Sequence, residues 1–274
     1  MIRSFCLCSK NPSSFFPYIE YKNEKVFKQF EGTVIGRCKT CGLLKTFSPK
    51  KTRFDPTQSR NDMYESKRPY FSKLFQPVIK KIKEYQSSGN VLEVGCSSGL
   101  LLELLTKEKY NTYGIEPNKK AYKVAKRKFK DRVYNGILAS FVKKTSMQFD
   151  VVIYNHVLEH IKDIPTEVNL IKKILKEDGI FVLGLPNTDN VIFHLRKKYW
   201  EPLMPLEHVW HFSKNYLVSF LEKNKFTIRD VSFSDDARLD YPFIKRIYFS
   251  FLSFINKCMY TGEAMLFIAK NSHD

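Results

Sequence analysis

The sequence predicts an α/β fold with a mostly parallel sheet, and three observations carry that prediction. From Val91 onward, short β-branched runs alternate with helical patterns, the rhythm of parallel strands joined by crossover helices. One of these runs ends in Gly95-Cys-Ser-Ser-Gly99 and passes straight into the helical LLLELL. The chain has 274 residues, 43% hydrophobic and 15% aromatic, enough for one full α/β domain with an appendage.

Taken in order, strands are expected at 91–94, 112–115, 132–134, 149–154 and 180–185, with helices between them and a linking helix over 64–85. The helix after the fourth strand is the clearest. Pro165 sits in its first turn, Val168, Ile171, Ile174 and Leu175 share a face, and Gly179 stands as its stop signal. Next comes GIFVLGLPN, a buried strand closed by Pro186-Asn187. Ser213 then caps SKNYLVSFLEKN, which feeds a strand at 226–233, and the last strand is 264–269.

Two segments fall outside this rhythm. Residues 1–60, rich in Pro, Ser, Lys and Phe and carrying paired cysteines, read as a separate small module ahead of a domain over 61–274. Residues 241–260 read as an amphipathic helical insertion. Ile244, Ile247, Tyr248, Phe251, Leu252, Ile255 and Met259 fall on one face; Lys245, Arg246, Ser253, Asn256 and Lys257 fall mostly on the other. Such a basic, aromatic helix suits peripheral membrane contact, a lid or a subunit contact.

The formal net charge is +18, and residues 1–88 hold 18 Lys+Arg against 7 Asp+Glu. That excess favours polyanions or an acidic surface and selects no substrate. The N-terminus lacks an apolar core of secretory length, and no run of about 18 uncharged apolar residues occurs, so a cytoplasmic setting is expected, with membrane contact left open. The oligomeric state has no signature.

In the glycine turn, small residues let backbone approach a ligand, and the helix that follows presents unpaired N–H groups and a positive dipole end. Glu116 closes the next strand, 23 residues after Glu93, where a carboxylate can accept both hydroxyls of a ribose. The order Glu93-x-Gly95-x-Ser97-x-Gly99 differs from the dinucleotide fingerprint, which would need a glycine at position 97.

With LEVGCSSG, YGIEPN, FDVVIYNHVLEHI, LKEDGIFVLGLPN and EHVWHFSKNYLVSFLEKNKF in that order, most of residues 64–269 resembles class I S-adenosylmethionine-dependent methyltransferases. The likeness is to the small-molecule branch, which includes the ubiquinone-pathway O-methyltransferases and carbohydrate or antibiotic methyltransferases. It implies a Rossmann-like, mostly parallel seven-stranded sheet with an antiparallel last strand. It also implies S-adenosylmethionine as cofactor and methyl transfer to a small-molecule acceptor, with a sugar or polysaccharide precursor as the leading guess.

By the same resemblance, Glu93, Gly95, Ser97 and Gly99 match the loop that cradles the methionine portion, Glu116 the ribose ligand and Asn155 a position under the methionine amino group. The adenine-facing stretch corresponds to Gly136, Ile137 and Leu138, where the Asp common in the family is absent. Methyl transfer from a sulfonium is an in-line displacement, so alignment dominates and a base is needed only where the acceptor must lose a proton. Histidines 156, 160, 208 and 211 lie in the two stretches flanking the expected cleft. His160, His208 and His211 are the candidate catalytic set.

Cys6-Leu-Cys8 and Cys38-Lys-Thr-Cys41-Gly can supply four thiolates to a tetrahedral zinc, although 29 residues separate the pairs and the first is only C-x-C. Some carbohydrate and antibiotic methyltransferases carry a similar N-terminal zinc module. Cys96 reads as a small residue of the turn, and Cys258 as part of the apolar helix. Two rival functions stand beside the small-molecule enzyme. An RNA methyltransferase would explain the charge, but the turn after the fourth strand lacks the Asn/Asp-Pro-Pro-aromatic sequence of base-nitrogen enzymes, and no Pro-Cys nucleophile is present. A non-catalytic scaffold would not need the intact glycines and acids.

Overall fold

The computed structural model describes residues 1–22, 25–49, 65–236, 238 and 241–271. The expected boundary near residue 60 and the start of the linking helix at Tyr64 lie outside them. Four strands come first: β1 (Ile2–Cys6), β2 (Ser9–Glu20), β3 (Val34–Cys38) and β4 (Leu44–Phe47). Then follow α1 (Arg68–Tyr85), β5 (Asn90–Val94), α2 (Leu100–Lys107), β6 (Asn111–Glu116), α3 (Lys119–Phe129), β7 (Val133–Asn135), α4 (Leu138–Phe141) and β8 (Phe149–Asn155). The last third holds α5 (Ile164–Ile174), β9 (Leu175–Pro186), α6 (Val191–Arg196), β10 (Trp210–His211), α7 (Lys214–Lys223), β11 (Phe226–Ser234), α8 (Phe243–Cys258) and β12 (Ala264–Asn271).

All seven strands expected from the repeating half of the sequence form one sheet, in the order β11-β12-β9-β8-β5-β6-β7. β5, β6, β7, β8 and β9 pair in parallel, and β12 inserts antiparallel between β9 and β11, from Ala264 opposite Pro186 to Lys270 opposite Ile180. The central strands are apolar on both sides because both faces are covered. Their period of two sorts them: Leu92, Val94, Val152, Tyr154, Phe181 and Leu183 enter one core, and Val91, Val151, Ile153, Ile180 and Val182 the other, against α1 and α2. The chain leaves β5 towards β6 and β7, then returns to β8 on the other side. The crevice at the carboxyl end of β5 is therefore a topological switch point, where ligands of such sheets bind.

Side-chain signals fix several ends as expected. Pro165 lies in the first turn of α5, and the Ser213 hydroxyl accepts the Tyr216 N–H at the start of α7. Gly179 is not the end of α5. The helix stops at Ile174, and Leu175, 1% exposed, turns extended and pairs with Phe149. Gly179 serves the strand instead, since a Cβ there would lie 2.8 Å from Leu175 Cδ1 and 3.0 Å from the Lys176 carbonyl oxygen.

The cysteine-bearing strands form a second, antiparallel sheet in the order β1-β2-β3-β4-β10, whose fifth strand is Trp210–His211 from the far side of the chain. Their apolar residues have no core to themselves. Cys6, Leu7, Phe15, Cys38 and Leu43 join the main core, while Ile19, Tyr21, Ile35 and Leu44 cluster with Phe193, Trp200 and α8's Phe249 and Leu252. The polarity expected of α8 is also rearranged. Asn256, placed on the polar face by its periodicity, is fully buried with Phe249 and Leu252, whereas Ile244, Ile247 and Phe251 face outward. Asn256 is stable there because its Oδ1 accepts the Val191 N–H at 2.8 Å and its Nδ2 donates to Asp235 at 2.9 Å.

Candidate functional site

The turn from β5 into α2 runs from Gly95 to Gly99. Gly95, Ser97 and Gly99 all have left-handed φ, at 75°, 48° and 80°. A Cβ on Gly95 would lie 2.6 Å from Val157, and one on Gly99 2.6 Å from Phe129, so both glycines are demanded by conformation and by close approach. Glu116 ties the turn to the neighbouring strand: its Oε2 accepts the Ser97 N–H at 2.8 Å and its Oε1 the Asn118 N–H at 2.7 Å. Each oxygen retains a second lone pair for further donors. Burial raises the Glu116 carboxyl, and these two N–H groups partly offset it.

Glu93 sits behind the turn, buried, with Oε2 making no hydrogen bond among the described residues. Burial, with the Glu116 charge added, pushes its carboxyl up to about 8. An orphaned buried carboxylate beside a glycine cradle fits a ligand that brings positive charge and donors. Asn155 closes β8 opposite Gly184, where a Cβ would stand 2.4 Å from the Asn155 Oδ1. Beyond β7, Ile137 is 59% exposed, and Leu138 is buried at the start of α4. Asp150, at the far end of β8, clamps structure instead, accepting from the Asn90 N–H and from Lys176.

The two histidine-bearing stretches meet. Val209 N–H donates to the Glu159 carbonyl and Trp210 Nε1 to the Ile161 carbonyl, docking 204–211 onto the turn after β8. His160 Nδ1 lies 3.0 Å from the Glu207 carbonyl oxygen, which can only accept, so the neutral ring carries its proton on Nδ1 and its lone pair on Nε2. The His208 ring packs edge-on to it, 4.7 Å between centroids. Glu159, buried behind both, has two carboxylate oxygens without a hydrogen bond among the described residues, with His156 Nδ1 at 3.4 Å and His208 Nε2 at 3.9 Å. His211 belongs to the seam between the sheets: its Nε2 is 2.8 Å from Thr46 Oγ1, and burial drives its imidazole down to about 3. It stays neutral and ties β10 to β4.

The comparisons with known proteins meet this geometry. A family model described as a methyltransferase domain matches residues 64–231. The chain belongs to this methyltransferase family. Among curated proteins, this methyltransferase is similar to the mitochondrial ubiquinone biosynthesis O-methyltransferase of Bos taurus, 29% identical over 53% of this chain and 43% of that one. It is also similar to the ubiquinone biosynthesis O-methyltransferase of Pelagibacter ubique, 30% identical over 35% of this chain and 42% of that one. The chain thus spans less than half the length of the curated relatives it matches.

Solved structures share the methyltransferase fold. A SAM-dependent methyltransferase from Archaeoglobus fulgidus covers 76% of this chain and 99% of its own, with TM-score 0.53 at 19% identity. The magnesium protoporphyrin IX methyltransferase of Synechocystis PCC 6803 with bound SAH covers 77% and 88%, with TM-score 0.53 at 14% identity.

Outside the region matched by the family model, the methyltransferase chain gathers Cys6, Cys8, Cys38 and Cys41, whose sulfur atoms all lie within 4.8 Å of one another. The long spacing between the pairs is taken up by β2, β3 and the connection between them, and the antiparallel pairing sets Phe15 opposite Cys38. Burial opposes ionisation of Cys38, but the N–H groups of Cys41 and Thr40 bring its thiol down to about 7. Contact with Cys41, then burial, pushes Cys6 well up. A half-buried set of four sulfurs on two facing turns fits a tetrahedral soft-metal site. Sequence reasoning passed over Glu159 and Thr46. A charged residue inside the apolar stretch Val157-Leu-Glu-His-Ile161 was the available signal for the first; the second had none, because its partner is 165 positions away.

Proposed function

We propose that this methyltransferase moves the methyl group of S-adenosylmethionine to a small-molecule acceptor, at an oxygen atom. The observation that carries the reading is the buried pair Glu93 and Glu116 around the left-handed Gly95-to-Gly99 turn. Glu93 would meet the methionine ammonium, Glu116 the ribose hydroxyls and Asn155 the methionine end. The bound sulfonium supplies an activated methyl group, so the protein's work is alignment and water exclusion. His160, with its Nε2 lone pair, would accept the acceptor's proton, and the Glu207 carbonyl at Nδ1 with the edge-on His208 ring would hold that ring in place. Glu159, His160 and His208 offer one carboxylate and two imidazoles within 4.8 Å.

The relatives named for ubiquinone biosynthesis direct the acceptor reading to a hydroxyl-bearing small molecule, in place of a sugar or polysaccharide precursor. Zinc on Cys6, Cys8, Cys38 and Cys41 would be structural, and a reducing, cytoplasmic setting suits such thiolates.

The test is calorimetric titration with S-adenosylmethionine, wild type beside Glu116→Ala. Micromolar binding, weakened by roughly tenfold to a hundredfold in the variant, is expected from loss of charged hydrogen bonds. A folded wild-type protein that does not bind would overturn the reading and leave a scaffold that keeps the fold.

A further inference from the structure

α8 presents its apolar side to solvent. Its docking is fixed by Phe249 and Leu252 in the cluster with Ile192, Phe193 and Trp200, and by the two Asn256 hydrogen bonds to Val191 and Asp235. Those contacts set the roll of the helix and leave Phe243, Ile244, Ile247, Phe251 and Phe254 outward, 73%, 79%, 54%, 61% and 63% exposed. At 100° per residue these five fall in one arc, largely opposite the docked residues. Met259 and Tyr260 extend the exposed apolar surface past the helix end. An exposed apolar surface of this extent marks an interaction site.

Charge decides the occupant. From Tyr241 to Gly262 there are three cations, Lys245, Arg246 and Lys257, and no carboxylate. Arg246 and Lys257 lie along one edge of the apolar arc, where their stems can run beside it with the charges at its rim. The whole chain carries +18. Bulky apolar side chains bordered by cations, on a helix about 24 Å long, match the boundary between acyl chains and anionic headgroups. No helix among the described residues is long and apolar enough to cross a bilayer.

We propose that α8 lies in the surface of an anionic membrane, Phe243, Ile247, Phe251 and Phe254 entering the acyl boundary while Phe249, Leu252 and Asn256 stay docked on the protein. The Rossmann-like domain is then held at the bilayer with a fixed orientation, because the helix cannot roll without breaking the Asn256 hydrogen bonds.

The test is co-sedimentation of the purified full chain with phosphatidylcholine vesicles and with vesicles of equal parts phosphatidylcholine and phosphatidylglycerol, paired with light scattering for the mass in solution. Capture by the anionic vesicles is expected to exceed capture by the neutral ones by at least tenfold and to fall with salt. The triple variant Ile247→Gln, Phe251→Gln, Phe254→Gln should lose at least ninety per cent of that capture with unchanged circular dichroism and thermal midpoint, since these side chains are outside the core. Should it misfold, Arg246→Gln with Lys257→Gln gives a second reading, with affinity expected to fall on the order of fivefold per cation. The proposal is overturned if wild type ignores anionic vesicles, or if both variants are captured as well as wild type. It is equally overturned if scattering shows a dimer that the apolar variant dissolves, which would make a second copy the occupant.

Discussion

Glu93 is the residue at which burial and function are most directly opposed. Its carboxyl stands at about 8 in the folded chain against an ordinary 4.5, so the folded state holds a proton that the unfolded state has released across that window. Stability contributed by this group is therefore present below about pH 4.5 and is lost as pH rises towards about 8. Thermal unfolding followed over this range should show wild type losing stability with rising pH more steeply than Glu93→Gln; parallel curves would remove Glu93 as the source. His160 makes a second prediction at this scale. His160→Gln keeps a hydrogen bond to the Glu207 carbonyl but has no titratable nitrogen, so kcat should drop by roughly a hundredfold to ten-thousandfold with cofactor affinity nearly unchanged. A kcat within a few fold of wild type would remove the base role.

Among the elements, the β5-to-α2 turn carries the most constraint per residue. Gly99 caps α2 at φ 80°, with Phe129 packed where a side chain would begin. Gly99→Ala must both hold a left-handed backbone, at about 1–2 kcal/mol, and displace a ring from α3. Urea unfolding of that variant should lose roughly 2–3 kcal/mol, with cofactor binding impaired as well. A loss under about 0.5 kcal/mol would mean that the turn relaxes more freely than its contacts imply. α8 is the contrasting element. Its hydrophobic periodicity was plain from the sequence, but periodicity reports only that a helix has an apolar stripe. Phe249 and Leu252, packed with Phe193 and Trp200, together with the two Asn256 hydrogen bonds decided which side docks.

In the whole molecule, the cysteine sheet and the methyltransferase domain share a strand pair, β4 with β10, and two hydrophobic clusters. A metal on the four cysteines would therefore support more than the first 49 residues. One zinc per chain is expected by elemental analysis. Its removal by chelator, or Cys38→Ser with Cys41→Ser, should lower the unfolding midpoint by roughly 10 °C, in a single transition, because the cores are continuous. Two separate transitions would show that the cysteine sheet unfolds on its own.

Local chemistry was enough to place seven strands of a mostly parallel sheet, the Glu93-to-Gly99 turn with Glu116, and the candidate thiol set; that all seven form one sheet with an antiparallel last strand was implied by the family resemblance. Strand period, glycine conformation and the reach of a carboxylate act over a few residues, and the sequence displays them directly. The tertiary structure alone decided that Leu175 leaves α5, that His211 bonds Thr46 while His160 and His208 gather round Glu159, that residues 210–211 complete the cysteine sheet, and that α8 turns its aromatic side outward. Each of these depends on partners far apart in the chain, and a pairing energy between distant residues leaves no periodic trace in the segments that make it.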